Sequence, residues 1–147
     1  MTIDVTVDCV IARPRERVAA FLADPANDTR WIGGISEARM LSEPPFGPGS
    51  RVERVASFLG RRIDYVTEVT EYDPTALLVM RSLEGPFPMT IRYAFSDEGG
   101  GTKVELRNQG GPGGLIKLAA PLMATMVRRS TRKDLARLKA VLESEPV

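Results

Sequence analysis

The sequence predicts an α+β fold in which an antiparallel sheet of seven strands is covered by one long C-terminal helix. Two observations carry this. Seven strand-like runs occur, and the last six are separated by breaks rich in Gly, Pro and Asp, as antiparallel neighbours require. The last stretch, Gly113 to Glu143, instead repeats apolar residues at helical steps of three or four. A sheet with one apolar face must be covered, and no other predicted element is long enough to do it.

The elements follow in order. In "TIDVTVDCVIA" the residues Ile3, Val5, Val7, Cys9 and Ile11 alternate with Asp4, Thr6 and Asp8, the pattern of a half-buried strand, with Val10 as the exception. "RPRERVAAFLADP" reads as a helix: Pro14 suits its start, Glu16 suits its positive end, Val18, Phe21 and Leu22 form a stripe, and Asp24-Pro25 stops it. A second short helix is expected around Asp28 to Ile32. Trp31, the only tryptophan, reads as a lid or core anchor in preference to a direct ligand contact. Strands are then expected at Ile35–Leu41, Arg51–Leu59, Arg62–Tyr72, Ala76–Leu83, Met89–Ser96 and Thr102–Asn108. In the final helix the stripe runs through Ile116, Ala120, Met123, Val127, Thr131, Leu135, Leu138 and Leu142.

Length and composition bound the function. A chain of 147 residues suits a single domain, 1–147. With 20 basic and 19 acidic side chains, bulk charge does not select a nucleic-acid partner. One cysteine makes no internal disulfide, the N-terminus lacks the pattern of a signal peptide, and Lys117 and Pro121 interrupt the most apolar window. A cytoplasmic protein without an integral membrane segment is expected. The chain contains no histidine. That excludes Ser-His-Asp and Cys-His machinery and every His-containing metal site, and one cysteine cannot build a thiolate zinc site. No metal and no cofactor is expected, and any chemistry must use carboxylates, Tyr, Arg, Lys or Ser/Thr.

The segments "VIARPRERVAAFLADPANDTRW", "VTEVTEYDP", "GGGTKVEL" and "RKDLARLKAVLES" occur in an order that resembles the START-like (SRPBCC) superfamily, and within it the polyketide cyclase/dehydrase branch. The resemblance spans about Ile3 to Glu143, and its motifs are structural rather than catalytic. It implies a helix-grip fold, with the sheet curled around the C-terminal helix and two short helices after strand 1 closing a hydrophobic cavity. It implies no catalytic residue, because its members include cyclases, lipid and quinone binders, carriers and chaperone activators that share none.

The cavity lining can be read from strand register. A two-residue turn at Gly60-Arg61 would pair Phe58 with Ile63, Ala56 with Tyr65, Arg54 with Thr67 and Val52 with Val69 on one face. The other face then receives Arg51, Glu53, Ser57, Asp64 and Glu68, so the first set faces the helix. The next turn would pair Val69 with Met80, Thr67 with Ser82 and Tyr65 with Glu84. Alternation directs Met89, Ile91, Tyr93, Phe95, Val104, Leu106 and Asn108 inward as well. The expected ligand-binding set is Arg54, Tyr65, Thr67, Met80, Ser82, Glu84, Ile91, Tyr93, Leu106, Asn108, Met123 and Val127. A buried cation is costly unless paired. Arg54 therefore orients a ligand, with Glu84 as its nearest carboxylate, or it lies near a strand end and reaches solvent, or a bulge breaks the register.

Other features carry less. Asp97-Glu98 precede three glycines and read as a hairpin tip. Arg128, Arg129, Arg132 and Lys133 read as a solvated helix face. "RNQGGPGGLIK" is no P-loop, since Leu115-Ile116 stand where a lysine must follow the glycine. It reads as a hinge at the cavity mouth, mobile around Gly110 to Leu118. The functions expected are binding of a small hydrophobic molecule of polyketide, aromatic or lipid type, with cyclase/dehydrase activity or as a non-catalytic carrier or sensor. In an enzyme, Arg54 would polarise a carbonyl while Tyr65, Tyr93 or Glu84 moved protons. A protein-interaction module is a third class, and it would need an exposed apolar patch.

Overall fold

A computed structural model describes residues 3–58, 60–85, 88–110 and 120–146 of the chain. Strand β1 (Ile3–Ile11) is followed by α1 (Arg15–Leu22), a single 3-10 turn at Pro25–Asn27 and α2 (Asp28–Trp31). Then come β2 (Ile35–Met40), β3 (Arg51–Phe58), β4 (Arg61–Asp73), β5 (Leu77–Glu84), β6 (Met89–Glu98), β7 (Gly101–Gly110) and α3 (Ala120–Ser144). The strands form one antiparallel sheet in the order β1-β7-β6-β5-β4-β3-β2. It curls as a half-barrel around α3, the helix-grip arrangement.

Local chemistry explains the elements. Pro14 stands at the N-cap of α1 with extended ψ, and Asp24 caps the following turn by accepting from the Ala26 amide at 3.0 Å. Along β1 the inward residues Ile3, Val5, Val7 and Ile11 are buried, and α3 lays Leu135, Leu138 and Leu142 against the sheet with no exposed surface to speak of. Thr131 sits on the same stripe because its hydroxyl donates to the Val127 carbonyl at 2.7 Å, satisfying it inside the helix. Met123 and Val127 are half-buried against this core. Ile116 and the expected hinge at Gly110 to Leu118 fall outside the described residues except for Gly110, which closes β7 with φ 121°. Pro121 stands one residue into the described helix, where its missing N–H interrupts no hydrogen bond of that helix.

Two register expectations need correction. The β3–β4 turn places Phe58 opposite Arg61, so Gly60, at φ 76°, is the second turn residue rather than the first. Arg54 consequently pairs with Tyr65 and Val52 with Thr67. Because the slide is two residues and side chains alternate with period two, Arg54 and Thr67 still face α3 and Arg51 still faces out. Between β4 and β5, Thr67 pairs with Ser82 and Val69 with Met80 as expected, but a bulge between Val66 and Thr67 sets Val66, not Tyr65, opposite Glu84. The bulge ends the alternation there, and Glu84 is exposed.

The C-terminal turn ties the short helices to α3. Glu145 accepts from Arg30 at 2.6 Å and from Arg17 at 3.3 Å, while Arg13 donates to the Glu143 and Glu145 carbonyls. The bond from Arg30 holds the Glu145 carboxyl below its usual range. A depressed carboxylate contributes above its ordinary pKa, and that contribution is lost as pH falls through the folded value. Hydrogen-exchange protection of α2, corrected for intrinsic rates, should therefore fall on acidification, and Glu145→Gln should remove that step. Leu138→Ala should lower the unfolding free energy by about 2–5 kcal/mol in urea titration, since the wholly buried side chain leaves a cavity between helix and sheet.

Candidate functional site: a cavity with a buried ion pair

Arg54 is the centre of the site. Its strand β3 is amphipathic, and the inward position puts a guanidinium beneath α2 with 5% of the residue exposed. Its Nε donates to Asp28 Oδ2 at 2.6 Å and its Nη1 to Thr67 Oγ1 at 2.7 Å. Among the described residues Nη2 has only the Met80 sulfur, at 3.9 Å, which is a weak acceptor. Asp28 is the first residue of α2 and is 3% exposed. The carboxylate that sequence register assigned to Arg54 was Glu84; the structure assigns it to Asp28, on a different element. Burial pushes the Asp28 carboxyl up, and the guanidinium opposes that shift. Arg54 itself stays a cation.

Beside this pair lies a cavity of about 140 Å³. The sheet contributes Arg54, Tyr65, Met80, Ile91, Tyr93, Leu106 and Asn108; α2 and the start of β2 contribute Trp31, Ile32 and Ile35; α3 contributes Thr131 and Asp134. Trp31 is 2% exposed and meets Tyr93 edge to face at 6.3 Å, so it anchors the core and walls the cavity at once. Burial raises the phenols of Tyr65 and Tyr93, in Tyr65 against the pull of Arg54, so both are neutral donors at physiological pH. Neither hydroxyl, nor the Asn108 amide, is hydrogen-bonded among the described residues. Asp134 accepts through Oδ1 from the Gly33 amide at 3.0 Å and from Arg137 at 3.2 Å. Arg137 also donates to the Trp31 carbonyl at 3.0 Å. Burial pushes the Asp134 carboxyl up, against those two donors.

Of the residues expected from sequence to bind a ligand, Arg54, Tyr65, Met80, Ile91, Tyr93, Leu106 and Asn108 meet at the cavity. Thr67 lies behind Arg54 as its hydrogen-bond partner. Ser82 accepts from the Met89 amide at 2.8 Å, Glu84 is exposed, and Met123 and Val127 pack against the core without lining the cavity. Asp28 and Asp134 had no place in that set. A signal for Asp134 was present, since it lies three residues beyond Thr131 and seven beyond Val127 on the apolar stripe. For Asp28 there was none, because its partner is 26 residues away on another element.

Fold and cavity together define a helix-grip protein with a partly open chamber between sheet and helices. The chain belongs to the family described as polyketide cyclase / dehydrase and lipid transport, whose model matches residues 2–143. Solved structures agree in fold. The protein TTHA0849 from Thermus thermophilus is 21% identical, with 96% of this chain and 97% of that one covered at a TM-score of 0.84. The ZhuI aromatase/cyclase from Streptomyces sp. R1128 is 18% identical, with 95% and 93% covered at 0.76. The di-domain ARO/CYC BexL, from the BE-7585A biosynthetic pathway, is 19% identical over 95% of this chain and 46% of its own, at 0.76. No curated protein matches the chain by sequence. No described helix is long and apolar enough to cross a membrane.

The ion pair makes a sharp energetic prediction. Arg54→Ala or Asp28→Ala strands a buried charge and should cost about 3–5 kcal/mol. The double substitution Asp28→Leu with Arg54→Met replaces both charges by apolar groups and should be more stable than either single variant. Urea unfolding of the three proteins checks the order.

Proposed function

We propose that the chain binds a small, mainly apolar molecule in this cavity and orients it through oxygen atoms that accept hydrogen bonds. The observation that carries the reading is Arg54, a buried guanidinium in a chamber whose walls set apolar side chains beside a few polar ones, with Nη2 unmatched by any oxygen among the described residues. Apolar walls with a few convergent polar groups are the general form of a small-molecule site. Membership of a cyclase/dehydrase and lipid transport family supports the same class of ligand. The donors also suit catalysis: Arg54 Nη2 and a neutral tyrosine would stabilise negative charge developing on a carbonyl oxygen as a neighbouring carbon loses a proton. Tyr65 and Tyr93, with raised phenol pKa values, serve as donors in such a step and not as bases.

A non-catalytic carrier is the second reading, favoured by one observation: Asp28 already neutralises Arg54, which lowers its power to stabilise an oxyanion. Both readings are tested by extracting purified protein with solvent and identifying bound compounds by mass spectrometry. A small apolar compound should be recovered in near-stoichiometric amount, and the Asp28→Leu/Arg54→Met double variant should lose it by at least about tenfold in affinity. Loss of water or ring closure on incubation supports the enzyme. An unchanged compound supports the carrier, and a folded protein that retains no small molecule and takes up none rejects both.

A further inference from the structure

The cavity's size and charge restrict what can occupy it. Its volume is about 140 Å³, and an apolar cavity of about 150 Å³ is enough for one benzene ring. Pockets for drug-sized ligands begin at about 300 Å³, twice this value. A fused polycyclic compound or an extended acyl chain exceeds that volume and would have to project through the open side of the cavity.

Charge is equally restrictive. The cationic wall group, Arg54, sits 2.6 Å from Asp28 with both side chains more than nine-tenths buried, so the pair presents almost no net charge. The carboxylate that lines the cavity, Asp134, is held by Arg137 and the Gly33 amide. An anionic ligand would lose its hydration, find the guanidinium already matched and face Asp134. A cationic ligand would find Asp134 already countered. Burying an unpaired ion costs several kcal/mol, so neither is accepted readily. What remains open among the described residues is a set of donors: the neutral hydroxyls of Tyr65 and Tyr93, the Asn108 amide, and Arg54 Nη2, whose charge Asp28 balances.

We infer that the part of the ligand held in this cavity is uncharged, no larger than a single substituted six-membered ring, and carries a ketone-type oxygen that accepts from the tyrosine–Arg54 wall. This rests on the reading of the cavity as a ligand site and narrows what it holds to a compact oxygenated ring. Edge-to-face packing of Trp31 on Tyr93 leaves aromatic surface at the cavity wall, which suits a flat ring.

The test uses the one tryptophan of the chain, whose single indole N–H resonance reports on the cavity it lines. Acetophenone, its apolar isostere cumene, its anionic isostere benzoate and the three-ring homologue 2-acetylanthracene are titrated separately and the shift followed. Acetophenone should bind about tenfold tighter than cumene, because it adds a hydrogen bond at equal size. Benzoate should bind at least about a hundredfold more weakly than acetophenone, and 2-acetylanthracene, whose extra rings exceed the cavity volume, should bind more weakly than acetophenone as well. Tyr65→Phe or Tyr93→Phe should erase most of acetophenone's advantage while cumene binds as before, a difference that a merely structural role would not produce. Benzoate matching acetophenone, 2-acetylanthracene binding more tightly, or cumene equalling acetophenone would overturn the inference while leaving the cavity as a ligand site. If none of the four moves the resonance, the inference falls and the reading of the cavity falls with it.

Discussion

The contact between Arg54 and Asp28 determines both where the short helices sit and what the cavity presents. Asp28 opens α2, Trp31 ends it, and between them the helix has barely one turn, so a bond that fixes its first residue fixes the indole at the cavity wall. The same bond removes the charge that would otherwise dominate the chamber. Two buried ions at 2.6 Å gain from attraction roughly what they lose in hydration, so the pair adds little to net stability. Its removal on one side alone is costly. The consequence is a site whose polarity and whose lid position cannot be altered independently: a substitution that freed Arg54 for an anionic ligand would also release α2.

Much of this is legible in the sequence alone, and the reason is periodicity. Strands with alternating faces and a helix with an apolar stripe announce themselves in any window long enough to count. Even the wrong β3–β4 turn did no harm to the faces, because an error of two residues restores every side chain to its own side. That is why Arg54, Tyr65, Met80, Tyr93 and Leu106 were found as a set. The failures share a different cause. Glu84 was lost to a bulge, a local insertion into the ladder that leaves no mark on hydrophobic pattern. Asp28 was missed because its partner is set by how α2 folds back over the sheet, and no short-range rule encodes that distance. The need for a partner was legible, from the cost of a buried cation, while its identity was not.

Asp134 illustrates a third case. A carboxylate on the apolar stripe of a buried helix is an anomaly that sequence alone displays, and it can be resolved in only a few ways: a paired cation, backbone donors, or protonation. In the structure the first two act together, through Arg137 and the Gly33 amide, and burial still raises the carboxyl. Arg137 spends the same nitrogen on the Trp31 carbonyl, so α3 grips the end of α2 as well as the sheet. At Gly33 a side-chain carbon would lie 2.6 Å from Arg137 Nη1, the far end of a flexible side chain, so a substitution there would displace that guanidinium.

The helix α2 is therefore held at three places of unequal strength. Arg30 to Glu145 is largely open to water and weak. The Gly33 and Trp31 contacts to Asp134 and Arg137 are partly screened, each made by charged groups with solvent on one side. Asp28 to Arg54 is buried, and parting it would leave two ions without water or partner. The ties thus strengthen from the solvent inward, and the contact that is hardest to part is also the one that neutralises Arg54, so the position of α2 and the charge balance of the cavity rest on the same pair.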